Sequence, residues 1–543
     1  MATYYFRNVG TNWGDAANWS LTDGGLATGA VPTALDDAYF TSNSGNCTVN
    51  ATARVCKTLI FSGVGAGNYA NTFTVSNNIT VSGNVTLSAT MTVAGTSNLR
   101  IDATSTLTSN GKTWTGGLTI VGNQTVTLSG NWTINGSFDT TNTSGTVTIN
   151  SNTLTIGGSF TSTLTAGNIT GTTNIVLNGT GTLSTNSTTT GAIQNNLTIN
   201  TSGTITFGTT VGYNTGTFTY TAGTVVTTGS TFVIRSSCTM DTDRGATQID
   251  FSTISITVAT QTLTLSSNLN VTNFTVAAAS NLTISSGVND LLATNMTLAT
   301  TANGIITITK NTQVVNLTLA SGGVGRIDGA FNFSVSGNLT HNSTSNTIGS
   351  ATIVLNGTGT WSHTSTGAIV SNLTINTSGT ITLGTTCIYN TGTLTYTAGT
   401  VTSTGNTLNI PGSCTLATNG MTWNNISYTT NSASTITLTN NLTYSGNFNT
   451  LNSTGILTIN SNTFTIGGNF TSSITTGQVT GTTTILLNGT GSLATNSVTS
   501  GAINTNLTIN TSGTITLGTI LSFKIYKNIK CYNFKQRTTN GLI

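Results

Sequence analysis

Short alternations of apolar and polar residues run along most of the chain. Within 372–423, apolar side chains come in pairs two positions apart, as at Leu373 and Ile375, and the pairs recur about every seven residues. Alternation turns one side of a strand inward and the other outward, and the Gly and Asn between pairs suit turns. Equivalent strands return after about 20–22 residues. The pattern therefore predicts an all-β fold, a right-handed parallel β-helix (β-solenoid) with three short strands per coil.

An array of β-sandwiches is the alternative architecture. Antiparallel hairpins would show two-residue turns at regular spacing between longer strands, which this sequence does not favour. We therefore keep the solenoid as the prediction.

Long blocks of the chain are duplicated. Residues 126–209 align without a gap to 436–519, with about two thirds of the positions identical, and 196–234 align in the same way to 372–410. Each residue of a globular core packs in its own environment, whereas a stack of equivalent coils accepts copied blocks. We therefore assign residues 61–519 to the solenoid.

The two ends differ from the repeats. Residues 1–60 are non-repetitive and aromatic, and we interpret them as an N-terminal capping segment that protects an open strand edge. Residues 520–543 turn basic where the earlier copy continues as regular coil, so we expect a divergent, irregular tail. A frameshifted or truncated end and a functional basic tail both remain open as explanations. The basic residues of this tail are Lys524, Lys527, Lys530, Lys535 and Arg537.

Charge is scarce in the rest of the chain. Only 5% of all residues are charged, and without the five tail residues nine basic residues stand against eleven Asp, a formal charge of −2. This composition offers no basic face for nucleic acid. No apolar run approaches the roughly 18 residues of a membrane span, and the N-terminus lacks a signal-peptide pattern. We expect neither a nucleic-acid partner nor a membrane span.

The first 60 residues carry a resemblance to known proteins. The run TNWGDAANWS, a Gly-rich step, Pro32 and then DDAYF resemble the beginning of parallel β-helix proteins of bacterial surfaces and of tailed-phage fibres. The resemblance implies a virion or extracellular, cell-surface location, a glycan or receptor partner, and a homotrimer. The missing signal peptide favours the phage side of the resemblance.

One internal cluster of charges could support catalysis. Cleavage of a polysaccharide needs carboxylates that work as acid and base or hold a cation. The run DTDRGATQID contains Asp241, Asp243, Arg244 and Asp250 and interrupts the repeat. A loop that binds glycan or a cation is one interpretation, and a solvated turn with a local Asp and Arg pair is the simpler one.

Histidine and cysteine give weak metal and disulfide candidates. His341 and His363 lie 22 residues apart, which would stack them on successive coils. Zinc usually needs three or four protein ligands, so we favour a polar ladder and predict no cofactor. Cys47 and Cys56 are the candidate disulfide pair. We interpret Cys238, Cys387 and Cys414 as small buried hydrophobic residues.

Together these features favour a non-enzymatic structural and adhesive rod, a phage tail fibre or related virion appendage that contacts cell-surface glycan. A bacterial surface adhesin exported without a classical signal is the first alternative. A glycan-cleaving tailspike, acting as a lyase or hydrolase, is the second. The outward Thr pairs at 217–221 and 393–397 add a minor alternative, an ice-binding solenoid.

Overall fold

The structure is a computed structural model with an all-β architecture. Strands make up 59% of it and helix 1%, and parallel coils stack into a β-solenoid of about 19 turns, which confirms the predicted fold class. Within the described part of the chain, no helix is long and apolar enough to cross a membrane. The described residues are 1–50, 52–61, 67–141, 145–164, 167–185, 192–257, 261–277, 281–285, 287–288, 290–298, 305–320, 326–402, 407–419, 422–423, 427–430, 434–450, 454–495, 503–518 and 529–532.

The chain divides into two compact units. The first unit comprises Met1–Thr257 and Gln261–Thr272, and the second contains Asn273–Ile543. The first unit includes a short 3₁₀ helix at Ala16–Asn18. Strand β31, Leu269–Val276, contains the boundary between the units.

The strands of the first unit before that boundary are β1 Thr3–Phe6, β2 Trp19–Ser20, β3 Asp37–Tyr39, β4 Cys47–Val49, β5 Arg54–Cys56, β6 Thr58–Ile60, β7 Thr72–Val75, β8 Ile79–Val81, β9 Val85–Thr86, β10 Thr92–Gly95, β11 Leu99–Ile101, β12 Ser105–Thr108, β13 Thr113–Trp114, β14 Leu118–Ile120, β15 Thr125–Leu128, β16 Trp132–Ile134, β17 Phe138–Thr140, β18 Val147–Asn150, β19 Thr153–Ile156, β20 Phe160–Ser162, β21 Ile169–Thr170, β22 Asn174–Leu177, β23 Gly181–Thr185, β24 Leu197–Phe207, β25 Thr210–Tyr213, β26 Gly216–Val226, β27 Thr231–Ile234, β28 Cys238–Asp241, β29 Asp250–Ile256 and β30 Gln261–Leu265.

The strands of the second unit after the boundary are β32 Asn281–Ser285, β33 Leu291–Leu298, β34 Ile305–Ile308, β35 Thr312–Leu319, β36 Arg326–Asp328, β37 Asn332–Val335, β38 Leu339–His341, β39 Thr347–Ile348, β40 Thr352–Leu355, β41 Gly359–His363, β42 Ile369–Val370, β43 Leu373–Leu383, β44 Thr386–Ile388, β45 Gly392–Thr402, β46 Thr407–Ile410, β47 Cys414–Ala417, β48 Thr422–Trp423, β49 Ser427–Thr430, β50 Thr435–Leu438, β51 Leu442–Tyr444, β52 Phe448–Thr450, β53 Thr454–Asn460, β54 Thr463–Ile466, β55 Phe470–Ser472, β56 Thr476–Leu487, β57 Gly491–Thr495, β58 Ile503–Asn510, β59 Ile515–Leu517 and β60 Ile529–Tyr532.

Three strands make one coil, and the next coil lies on them in parallel register. After β14, β15 and β16, strand β17 returns beside β14, where Leu118 pairs with Phe138. On the next strands Leu154 and Ile156 are fully buried and Thr155 between them is half-buried. The predicted alternation therefore places apolar side chains inside and threonines outside, so each coil buries its apolar side against its neighbours.

The segment 1–60 adds strands to the same sheet as the repeats. Strand β1 pairs in parallel with β3, and the two-residue strand β2 pairs antiparallel with β1 at the end of a nine-stranded sheet. Inside, Trp13 and Trp19 are fully buried with ring centroids 4.8 Å apart. Phe40 and Phe61 stack at 4.7 Å. Aromatic packing thus fills the interior where the sequence does not repeat.

Within the block NLTINTSGTIT, which occurs three times, the motif NTSG differs from the predicted turn in two of the three copies. Strands β24 and β43 run through it without a break, and the pairing register shifts around Asn200 and Asn376. In the third copy β58 ends at Asn510 and β59 begins at Ile515. The neighbouring strands β26 and β45 are also continuous, so a β-bulge absorbs the extra residues and keeps the pairing on both sides.

The duplicated blocks fold alike down to single contacts. Phe138 and Phe160 stack at 4.9 Å in the first unit, and the equivalent Phe448 and Phe470 stack at 5.1 Å in the second. The Asn152 and Asn462 side chains each donate a hydrogen bond of 2.6 Å to the carbonyl oxygen of a leucine. Both asparagines have positive φ, which Asn tolerates better than most residues.

The tail contains one strand that we did not expect. Strand β60 pairs in parallel with β58, with Leu507 opposite Ile529 and Asn510 opposite Tyr532. The prediction of an irregular tail is therefore wrong for these four residues, since apolar Ile529 recurs at the coil spacing. The rest of 520–543 lies outside the described residues.

Candidate functional site

Outward rows of hydroxyl groups mark the same place in both units. In the second unit Thr393, Thr415 and Thr437 pair in register on neighbouring strands, and all three are half-buried. The row begins at Asn372, whose side-chain oxygen accepts a hydrogen bond of 3.0 Å from the Thr393 backbone N–H. Strands about 4.8 Å apart repeat each hydroxyl at that interval.

A shallow groove runs beside this row. Ser413 is exposed beside it and its hydroxyl accepts a hydrogen bond of 2.9 Å from the Thr435 backbone N–H. Gly392 has φ 105° and pairs with Cys414, so no side chain covers that thiol from the preceding strand. The groove is lined by Gly392, Thr393, Ser413, Cys414, Thr415, Thr435 and Thr437.

The first unit repeats this arrangement. Thr217, Thr239 and Thr264 pair in register, and the Thr217 N–H donates to the Asn196 side chain at 2.9 Å. Ser237 accepts from the Thr262 N–H at 2.9 Å, as Ser413 does in the second unit. The two units therefore present equivalent rows of uncharged donors and acceptors.

The acidic cluster forms a small hairpin on the first unit. Asp243 and Gln248 form an antiparallel bridge, and 244–248 are exposed. Arg244 donates to both carboxylate oxygens of Asp241, at 2.6 and 2.7 Å. That hydrogen-bonded pair lowers the pKa of Asp241 and raises the pKa of Arg244.

The other two carboxylates of the hairpin are also engaged. Asp243 accepts from the Gly245 N–H at 2.6 Å and from the Asn268 side chain at 3.1 Å. Asp250 accepts from Gln248 at 2.9 Å and from Asn270 at 3.3 Å. The candidate residues Asp241, Asp243, Arg244 and Asp250 thus lie on one turn whose hydrogen bonds hold the loop itself together.

The two histidines stack as their spacing predicted, but they face the interior. His341 pairs with His363 in register, and the ring centroids are 4.8 Å apart with 28° between the planes. His341 is 0% exposed and His363 is 7% exposed. His363 Nδ1 accepts a hydrogen bond of 3.1 Å from the Ile388 backbone N–H. The neutral ring of His363 must therefore carry its proton on Nε2.

Burial decides the charge state of this pair. Burial lowers the pKa of His341 to about 4, against hydrogen bonds to the backbone of His341 and Ser343 that raise it. Burial, followed by the repulsion of His341, lowers the pKa of His363 to about 3. Both rings are therefore neutral at pH 7. Among the described residues no three His, Cys, Asp or Glu side chains form a group that could hold a metal ion.

We did not predict from the sequence that, in the first unit, serine and threonine hydroxyls occupy the inward coil position that the two histidines occupy in the second unit. In the first unit Ser162 pairs with both Thr140 and Thr185, and all three are 1% exposed. The Gly212 N–H donates to Thr185 Oγ1 at 2.7 Å. Strict alternation from Phe160 and Leu183 identifies this inward row, and alternation from Leu339 and Trp361 likewise predicts that both histidines point inward.

Cys47, Cys56, Cys238, Cys387 and Cys414 are all buried, and none of them forms a disulfide. Cys47 and Cys56 are free and fully buried, on β4 and β5 of different sheets, so the candidate disulfide is wrong. Burial raises the pKa of Cys238, Cys387 and Cys414 to about 12. These three thiols stay neutral and behave as the predicted small hydrophobic residues.

Comparison with models of known protein families, with curated proteins and with solved structures finds no match. The stacked parallel coils by themselves place the protein in the class of parallel β-solenoids.

Proposed function

We propose that the protein is a non-catalytic structural and adhesive solenoid, a phage tail fibre or related virion appendage whose outward hydroxyl rows contact cell-surface glycan. The observation that supports this proposal is the hydroxyl row Thr393–Thr415–Thr437 beside its groove, together with the equivalent row Thr217–Thr239–Thr264 in the first unit. Sugars offer hydroxyls on both sides of a ring, and rows of threonine hydroxyls and exposed serines can donate to them and accept from them.

The chemistry of the groove favours a neutral glycan over an anionic one. Its lining residues are Thr, Ser, Gly and a thiol that remains protonated because burial raises its pKa to about 12. Binding of sulfated or phosphorylated polymers needs Lys or Arg, and the groove lining contains neither. The equivalent hydroxyl row of the first unit offers a second contact surface on the same chain, and two such surfaces raise the avidity for a repeating polymer.

A panel of immobilised neutral and anionic bacterial polysaccharides tests the proposal. The wild-type chain should bind neutral polymers, and the combined changes Thr393→Val, Thr415→Val and Thr437→Val should weaken binding at least about tenfold. Thr360→Val with Thr382→Val, on another outward row, is the matched control and should leave binding intact. Binding to none of the polymers, or equal loss in the control, would contradict this function.

The remaining alternatives separate by independent measurements. Detection in purified virions supports the fibre, and enrichment in a bacterial surface fraction supports the adhesin. Release of oligosaccharides that is lost in Asp241→Asn with Asp243→Asn would support a tailspike. The minor alternative, an ice-binding solenoid, rests on the same outward threonine rows, and thermal hysteresis that disappears in the triple Val variant would support it.

A further inference from the structure

The stacked histidines form a buried pair of titratable side chains in the second unit. His341 lies between Leu319 on β35 and His363 on β41, and Trp361 approaches the His363 ring edge-on at 6.1 Å. Strand β44 closes the other side with Cys387 and Ile388, and the Cys387 thiol donates to the Trp361 carbonyl oxygen at 2.8 Å.

We propose that the His341–His363 stack is an acid-sensitive element, which opens the coils around residues 337–390 when the medium turns acidic. Three features of the site carry the proposal: the burial of both rings, their face-to-face contact, and the hydrogen bond that His363 Nδ1 accepts. Each of the three requires a neutral imidazole.

Protonation would act first on the hydrogen bond. A proton on His363 Nδ1 turns the acceptor into a donor, so that it would face the Ile388 N–H, which is also a donor. The Ile388 N–H would then be buried without an acceptor. Protonation of both rings would also place two positive charges 4.8 Å apart between centroids in a dry interior.

Among the residues that the structure describes, no carboxylate contributes to the pKa of either ring, so none offsets these charges. The influences on the two pKa values are burial, backbone hydrogen bonds and the neighbouring imidazole, and among the described residues no Asp, Lys or Arg side chain contributes. Cys387 and Tyr389 are the other titratable groups of 337–390; burial raises the pKa of both, to about 12 for the Cys387 thiol, so both stay neutral. The pair can therefore accept protons only if the coils open to water.

The sign of the effect follows from linkage. In the unfolded chain imidazole takes up protons below its ordinary pKa of about 6.5, whereas in the folded chain His341 resists protonation until about pH 4 and His363 until about pH 3. Stability is thus complete above about pH 6.5 and falls as the pH drops toward 4. Because each coil is held by its neighbours alone, the loss should begin locally.

Segment-resolved hydrogen exchange on the full chain, at about pH 7.5 and about pH 5 and corrected for intrinsic exchange chemistry, tests the proposal. Peptides from 337–390 should lose protection at least about tenfold at the lower pH, whereas peptides from 158–212, which carry Ser162 and Thr185 at the same coil position, should keep theirs. Equal protection of 337–390 at both pH values would overturn the proposal.

A variant with no titratable side chain at positions 341 and 363 provides a second test. His341→Leu gives this coil the same residue that the preceding coil has at the paired position, Leu319. His363→Asn keeps an acceptor for the Ile388 N–H. The double variant should show the same protection at both pH values, whatever its stability at neutral pH. If it does not fold, His341→Leu alone should still reduce the pH-dependent loss. A variant that opens in acid as fully as the wild type would also overturn the proposal.

Discussion

The two units place different buried polar groups at one position of the coil. In the first unit Thr185 Oγ1 accepts a hydrogen bond of 2.7 Å from the Gly212 N–H, and in the second His363 Nδ1 accepts one of 3.1 Å from the Ile388 N–H. Gly212 and Ile388 are equivalent in the duplicated block. The coil therefore needs a buried acceptor at this point, and a hydroxyl or a neutral imidazole can supply it.

The apolar positions two residues before these buried polar groups show how side-chain volume is distributed between adjacent coils. Phe160 is followed by Leu183 on the next coil of the first unit, whereas Leu339 is followed by Trp361 in the second. The aromatic residue thus lies on the first of the two coils in one unit and on the second in the other, and all four side chains are fully buried. A stack of coils thus tolerates exchanges of volume between adjacent layers, as close-packed cores do when total volume is kept.

The largest effect is expected where the units are alike. Ile199→Asp and Ile375→Asp put an unpaired carboxylate at the same dry position and should each destabilise on the order of 5 kcal/mol or more. Denaturant unfolding followed by far-UV circular dichroism measures the losses. The outward neighbours Thr198 and Thr374, changed to Ser, should cost less than about 0.5 kcal/mol. Comparable losses at inward and outward positions would mean that the two faces are wrongly assigned.

Histidines introduced at the equivalent positions of the first unit should make the stability of the chain more sensitive to acid. Ser162→His with Thr185→His should cost about 1–3 kcal/mol at neutral pH through overpacking. Between about pH 7.5 and 5, two buried imidazoles should remove about 4 kcal/mol more. Thermal melts at both pH values measure the difference, with the wild-type chain as control. A pH-independent loss would show that the position itself does not confer the sensitivity.

Removal of the acceptor alone should have a smaller cost. Thr185→Val keeps the shape and leaves the Gly212 N–H without its partner, so it should destabilise by about 1–3 kcal/mol. Thr182→Val, on the outward side of the same strand, is the matched control. The prediction is lost if both variants unfold at the same denaturant concentration.

The smallest effect is expected at the charged hairpin. Arg244→Ala breaks the exposed pair with Asp241 and should change the free energy of unfolding by less than about 1 kcal/mol. Because that pair lowers the pKa of Asp241, its contribution is present at neutral pH and disappears as the pH falls below the ordinary range of Asp. A loss of several kcal/mol would show that the hairpin supports the coils beneath it.

Alternation and spacing predicted the elements whose environment repeats. They placed Ile199 and Ile375 inside and put His341 beside His363, because strand pairing in register follows directly from a regular coil length. They did not predict the continuous strand through Asn200, since a β-bulge depends on the neighbouring strand as well as on the local sequence.

The candidate sites were less accessible to sequence reasoning. The hydrogen bond from Ile388 to His363 joins residues 25 positions apart, and only the packed coil brings them together. The groove depends in the same way on Gly392 lying opposite Cys414. The four charged residues of the hairpin were found from sequence because they are close along the chain, and their partners Asn268 and Asn270 were not.

Adjacent coils of the two units have equivalent strand register, and the distance between two spin labels on paired strands measures that register directly. Thr161 lies opposite Ser184 in the first unit, and Thr340 lies opposite Ser362 in the second; all four are half-buried and face outward between the compared positions. Neighbouring parallel strands bring each backbone pair to about 5 Å. Nitroxides attached to cysteines introduced at these positions should give strong dipolar broadening for both pairs at neutral pH, measured against the wild-type chain taken through the same labelling. Broadening in one unit only, or in neither, would contradict the account.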